Sequence, residues 1–436
     1  MNMNSLRFVT LALFPLGYLT AQTVDDTQLK QVIIFGRHSV RSPVLDNSTL
    51  DTWSVLPFPA FQDMPGILTS NGATLETILG GYYRLWLKQE KLLTGNDPAY
   101  ANLVYFRANS LERTIATANA FATGLLPGAK VNVNSYQQGS DPLFNPVGAG
   151  VALLDSDMAI AAVKGRLGGN PQSLASTYAA EYALTRSLLL NYSPSQNPVP
   201  APPAGTVDVT TIPIAVTEGT NGSPLNLGGL TAVLFATDPF VMEYADGMPA
   251  SDVGWGQLTA GGISQTSRIT TLVEDLLYRT PYLDQIQSSN VASHVVRSMV
   301  QAATGNPIPG TLGTPATKVI LLLASDVNVT GLAGLFHMDW LLPGYQPDFC
   351  APGGALVFQL RQSQSTGEYI VRTSYIAQTM DQLRNQTALT LTTPPASAPV
   401  FIPGCSVANS TFDCPLGEFV NLEKNAIDPQ SVYLVN

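Results

Sequence analysis

Two arginines and a histidine fall within one seven-residue stretch, RHSVRSP, from Arg37 to Pro43. The histidine, His38, is one of only three in 436 residues. Imidazole is a nucleophile or base near neutral pH. Guanidinium forks match phosphate oxygens in a bidentate way. A further arginine, Arg113, stands in LERT, and a carboxyl group, Asp326, stands in ASDVNVTG. An aspartate whose pKa is raised can protonate a leaving oxygen. Together these residues suit transfer of a phosphoryl group through a covalent histidine. His294 and His337 lack such neighbours and read as structural.

Each of these residues follows an apolar run. Val32 to Phe35 reads as a buried strand that stops at Gly36, and Arg37, His38 and Arg41 come next. Asn102 to Ala108 is strand-like and precedes Arg113, in the first turn of a helix that Ser110 can cap. Lys318 to Ala324, the most apolar strand, precedes Ser325, Asp326 and Asn328. In a parallel α/β sheet, ligands bind beyond the carboxyl ends of the strands. Three strand ends would thus deliver three arginines, a histidine and an aspartate to one edge. A helix capped near Ser70 or Asn71 follows the first strand, and ALVFQLRQ with YIVRTSYI predicts a hairpin.

From about 142 to 281 the pattern becomes mostly helical, broken by the Pro-rich SPSQNPVPAPPAG. The reading is an α/β domain built from 22–141 and 282–436, with a mostly helical domain, 142–281, inserted between them.

Composition sets limits. Hydrophobic residues make up 45% and charged residues 12%, with a net charge of −10. A large core is affordable, and nucleic acid is a poor partner for so acidic a chain. Residues 1–21 read as a signal peptide, with Arg7 ahead of a short apolar segment, so export to the periplasm or beyond is expected. No later segment looks transmembrane. Cys405 and Cys414 flank a short polar loop and can close a bridge, leaving Cys350 either buried and inert or free. The scattered cysteines and histidines have no metal-ligand spacing, so neither metal nor cofactor is expected. No G-x-S-x-G elbow or nucleotide-binding P-loop is present. Oligomeric state is not legible.

At these residues the chain resembles the histidine acid phosphatases, most closely their bacterial phytase and glucose-1-phosphatase branch. RHSVRSP resembles the hallmark R-H-G-x-R-x-P, with Ser39 in place of glycine. LERT, DPLFNP at 141–146, GMP and GWGQL within 247–258, YRTPYL at 278–283 and DWLLPGYQPDFCAPGGALVFQL at 339–360 are similar to family segments. The resemblance implies a phosphoglycerate-mutase-like α/β domain with a helical cap. It implies His38 as nucleophile, Asp326 as proton donor, and Arg37, Arg41 and Arg113 as phosphate ligands. It also implies Asp238 as a cap residue facing substrate, and a disulfide between Cys405 and Cys414. One departure stands out. The family's second hallmark is His-Asp, and here Ser325 replaces that histidine. Two outcomes follow: a phosphate monoesterase in which Ser325 donates a weaker hydrogen bond to phosphate, or a degenerate phosphoryl-ligand binding protein. Survival of the nucleophile, arginines and acid together favours catalysis, with an acidic optimum.

Overall fold

The computed structural model describes residues 25–94, 98–193, 195–219 and 223–434. The expected signal segment lies outside them. Ten strands are present among the described residues: β1 (Thr27–Arg37), β2 (Val104–Ala108), β3 (Val133–Ser135), β4 (Ile214–Glu218), β5 (Leu225–Gly228), β6 (Val319–Ala324), β7 (Ala355–Ser363), β8 (Tyr369–Ala377), β9 (Ala396–Pro399) and β10 (Cys414–Pro415). The helices are α1 (Asn47–Leu50), α2 (Ser70–Gln89), α3 (Glu112–Leu125), α4 (Ser156–Arg166), α5 (Ser173–Thr177), α6 (Ala179–Leu189), α7 (Gly229–Ala245), α8 (Ala260–Thr266), α9 (Arg268–Tyr278), α10 (Pro281–Thr304), α11 (Asp326–Leu335), α12 (Met380–Arg384) and α13 (Leu416–Ala426).

The main sheet runs β10-β8-β7-β1-β6-β2-β3, with β9 also on β8. Its middle is parallel, β1 and β2 both pairing with β6, while β7 pairs antiparallel with β1 and with β8 as the predicted hairpin. This mixed α/β sheet is the fold class expected from the strand–helix alternation.

The central strands carry unbroken apolar runs because both faces are covered. Ile33 and Phe35 of β1 join one core cluster and Val32 and Ile34 the other; β6 alternates likewise. Helices α2 and α3 supply the second cluster with Leu79, Tyr83 and Phe121, whereas α10 and α11 supply the first with Val291, Val295 and Leu332. All six residues of β6 are buried. At about 1.5–3 kcal/mol per large apolar side chain, that strand contributes on the order of 10 kcal/mol, which anchors its carboxyl end rigidly.

Register brings the strand ends together. Arg37 pairs with Ala324, and Ala108 pairs with Leu323. The amide of His38 donates to the Ala324 carbonyl (3.0 Å) and that of Asn109 to the Leu323 carbonyl (2.9 Å). Helix α2 then closes on the motif loop. A Cβ at Gly72 would sit 2.2 Å from the Val40 carbonyl, so only glycine lets helix and loop meet there.

Some local expectations are corrected. Thr69 caps α2, accepting from the Gly72 amide, in place of Ser70 or Asn71. Ser110 does not cap α3. The N-cap position is Leu111, and Asn109 Oδ1 takes the Leu111 amide instead. The mostly helical stretch also contains a hairpin, β4–β5, that the sequence reading passed over.

Candidate active site

His38 is 1% exposed, at the foot of the loop leaving β1. Its Nδ1 lies 2.8 Å from the Ser39 carbonyl oxygen. A carbonyl only accepts, so Nδ1 carries the proton and Nε2 keeps its lone pair. Burial and the charges of Arg37, Arg41 and Arg113 push the imidazole well below its ordinary value, with Asp326 opposing them. Burial and the arginines therefore both favour the neutral ring, with its Nε2 lone pair available.

The three arginines are held differently. Arg37 Nη1 donates to the Cys350 carbonyl (2.6 Å), and its Nη2 lies 3.0 Å from Asp326 Oδ2. Arg41 forms a bidentate pair with Asp238 of α7, at 2.8 and 3.2 Å. The side chain of Arg113, in the first turn of α3, makes one long bond among the described residues, to the Gly66 carbonyl at 3.3 Å. Burial, Arg41 and Arg37 push Arg113 down to about 10, with Asp326 and Asp238 opposing, so it keeps its charge at any working pH. Cysteine 350 is buried, and burial pushes its thiol up, so it is an inert core group.

Asp326 is the first residue of α11. Burial alone would raise its pKa, but the Arg37 guanidinium, with the Ser325 hydroxyl and Arg41, outweighs burial and holds the group below the usual carboxylate range. Its Oδ1 accepts from Ser325 Oγ (2.8 Å) and from the Val327 amide (2.9 Å). In this geometry it is a carboxylate, the reverse of the raised acid that proton donation calls for. Ser325, expected to face phosphate, turns its hydroxyl to Asp326. Asn328 links the segment, accepting from the Ser325 amide and donating to the Phe144 carbonyl at 2.6 Å.

Two acids near the site escaped sequence reasoning. Glu274 of α9 is buried and raised well above its ordinary value by burial and Asp326, with Arg37 opposing. Glu76 of α2 lies beneath the motif loop. Both fall on apolar helical faces, Glu76 with Leu75, Leu79 and Tyr83, and Glu274 with Val273 and Leu277. An acid in a core register was the available signal. His294 is buried, with Nδ1 2.8 Å from the Asn290 carbonyl. Cys405 and Cys414 form a disulfide, Cα–Cα 5.1 Å.

Comparison with known proteins decides the kinship. The family model described as Histidine phosphatase superfamily (branch 2) matches residues 28–191. The structure of the phytase of Hafnia alvei in its apo form is 30% identical to this chain, with a TM-score of 0.84, over 94% of this chain and 99% of the phytase. The chain belongs to the histidine phosphatase superfamily, branch 2. This histidine phosphatase is also 29% identical to Phytase AppA of Escherichia coli (strain K12), over 94% of each chain. It is 28% identical to a glucose-1-phosphatase of Providencia rettgeri, over 96% of this chain and 98% of the relative. It is a phosphatase, hydrolytic in its chemistry as the motifs imply. No helix among its described residues is long and apolar enough to cross a membrane.

Proposed function

We propose that the chain is an exported acid phosphatase that hydrolyses phosphate monoesters through a phosphohistidine at His38. One observation supports this above all: the Ser39 carbonyl engages Nδ1 and leaves Nε2 as the lone-pair nitrogen, in the joint field of three guanidinium groups.

The steps follow from the groups present. The ester phosphate exchanges places with Asp326 at Arg37 and with Asp238 at Arg41, and Arg113 takes a further oxygen. Nε2 of His38 attacks phosphorus, and the bond to the alcohol oxygen breaks. Asp326 protonates that oxygen. Water then attacks the phosphohistidine, giving its proton to Asp326, and inorganic phosphate leaves. Asp326 starts as a carboxylate, so its proton arrives with the substrate. A phosphate monoester carries one below about pH 6. Drawing Arg37 toward phosphate also removes the cation that holds Asp326 down. Acidic pH favours both events, and burial and the arginines oppose protonation of His38. The segment 142–281 acts as a cap, contributing Asp238.

The substrate class is an ester of an uncharged, hydroxyl-rich alcohol, such as a sugar phosphate. A cavity of about 480 Å³ beside Ser325 is lined by Asn109, Ser110, Ser140, Asn145, Gln287 and Asn328, among others, with no lysine or arginine. A second, of about 560 Å³, between 57–63 and 246–255, carries Asp63, Asp246 and Asp252 and again no cation. Additional phosphates on the substrate would meet carboxylates there. Likeness to the phytases supports a second reading, hydrolysis of inositol phosphates.

A panel of p-nitrophenyl phosphate, glucose 1-phosphate and myo-inositol hexakisphosphate at pH 4–6, with acid-quench trapping of labelled His38, tests both levels. Expected are a trapped phosphohistidine and a higher kcat/KM for the sugar ester than for the hexakisphosphate. Preference for the hexakisphosphate overturns the substrate class. Absence of turnover and of labelled His38 overturns the enzyme mechanism in favour of phosphoryl-ligand binding.

A further inference from the structure

Glu76 is 2% exposed in the second turn of α2, a position otherwise given to apolar residues. Among the described residues no ion pair involves it. Arg37 of β1 and Tyr83 of its own helix line the same small void with it. The Arg37 guanidinium is engaged by Asp326 and the Cys350 carbonyl. Burial without a countercharge pushes the Glu76 carboxyl up to about 8, with only the Ser39 hydroxyl opposing, so it is a neutral acid with an O–H to donate.

What it faces is the residue where this chain departs from the family motif. Ser39 is fully buried, and its Oγ and Glu76 Oε1 both lack a well-formed hydrogen bond among the described residues. The two converge over Gly353. A Cβ there would lie 2.3 Å from Glu76 Oε1 and 3.8 Å from Ser39 Oγ. Gly353 in turn donates its amide to the His38 carbonyl (3.1 Å). The Ser39 amide donates to Thr117 Oγ1 (3.2 Å), and the Ser39 carbonyl sets the His38 tautomer. The side chain at residue 39 thus hangs from the peptide that orients the nucleophile, and a buried hydroxyl there requires a partner.

We propose that Glu76 is a positioning residue of the reaction: its carboxyl pairs with the Ser39 hydroxyl beneath the motif loop and holds the Ser39 peptide where its carbonyl fixes His38 with Nε2 toward phosphorus. Ser39 and Glu76 are two halves of one device. A glycine at 39 needs no such partner, and a serine does. The proposal rests on His38 as the nucleophile, which trapping in the wild type establishes separately.

The test uses the full chain and p-nitrophenyl phosphate. Glu76→Gln keeps a neutral hydrogen-bonding group and retains kcat within about threefold. Glu76→Leu lowers kcat about tenfold, with KM changed less than twofold, because orientation of the nucleophile and not phosphate affinity is lost. Adding Ser39→Gly to Glu76→Leu recovers most of the loss. With three histidines in the chain, nitrogen NMR resolves His38 directly. A single Nδ1–H tautomer is expected in the wild type and Glu76→Gln, and a mixture in Glu76→Leu. Should Glu76→Leu fail to fold, Ser39→Ala removes the other half and gives the same tautomer mixture and kcat loss. The proposal is overturned by wild-type kcat in Glu76→Leu (or in Ser39→Ala), by equal losses in the Gln and Leu variants, or by an unchanged His38 tautomer where kcat falls. A wild type that never forms phosphohistidine overturns the nucleophile assignment instead.

Discussion

Replacing Asp326 by Asn tests the site most sharply, because it acts on two steps in opposite directions. Asp326 Oδ2 lies 3.0 Å from Arg37 Nη2, and both side chains are largely buried. At an effective dielectric near 20 the gross attraction is about 5 kcal/mol. Much of that is offset by desolvation, and a charge-assisted hydrogen bond contributes a net of roughly 1.5–3 kcal/mol. A phosphate must displace this carboxylate to reach Arg37. Asp326→Asn removes the competitor and keeps the side-chain volume. Inorganic phosphate should then bind about 10- to 100-fold more tightly, since each 1.4 kcal/mol is a factor of ten. Loss of the proton donor should lower kcat for a sugar or alkyl ester by about 10²–10⁴. The loss should be far smaller for a nitrophenyl ester, whose phenolate departs unprotonated. The assay is kcat and KM on both esters, with the inhibition constant for phosphate, at pH 5. An unchanged or weakened phosphate affinity would refute the exchange of partners at Arg37. Equal kcat losses on the two esters would refute Asp326 as the acid.

Other outcomes follow from the same structure. Arg113→Ala should cut kcat/KM by about 10²–10³, while the melting temperature barely moves, because among the described residues the Arg113 side chain makes one long bond, to the Gly66 carbonyl. A fall in stability comparable to the fall in activity would count against it. Burial pushes Glu76, Glu243 and Asp284 up to about 8. A raised carboxyl stabilises the fold below its unfolded value, near 4, and that contribution is lost as pH rises through about 8. His294 works in the opposite sense: burial pushes it down to about 4, so its contribution is complete above about 6.5 and lost as pH falls through 4. Of these groups only the carboxyls change between pH 6.5 and 8, so melting temperature should fall across that window, and Glu243→Gln should flatten the fall. A rising curve there would contradict the burial argument. Removing the Cys405–Cys414 bridge by double alanine substitution opens a short loop of separation 9, and urea unfolding should show a loss of about 2–3 kcal/mol.

Some of this protein was legible because its signals are local. RHSVRSP, LERT and ASDVN sit directly after apolar runs, and parallel pairing carries the ends of such runs to one edge. The hairpin of β7 and β8 was legible from β-rich runs around SQSTGE. Caps were less so. Thr69, Ser70 and Asn71 are all competent caps, and only the tertiary approach of Val40 selects Thr69, whose amide bonds the Val40 carbonyl. Resemblance raised Asp238 only as an expectation, and its bidentate pair with Arg41 spans 197 residues and has no trace in either segment alone.

From the order of its residues alone this chain declares its candidate reactive groups and the strands that end at them, which together support the proposed histidine-centred phosphoryl chemistry. These depend on residue type and short spacing, which survive without coordinates. The protonation states and partners of those groups belong to the folded molecule. Whether Asp326 carries a proton, which nitrogen of His38 keeps its lone pair, and whether Ser325 meets phosphate or a carboxylate are set by burial and by charges brought from distant segments. Electrostatic energy depends on distance and desolvation, and neither exists until the sheet and its helices are assembled.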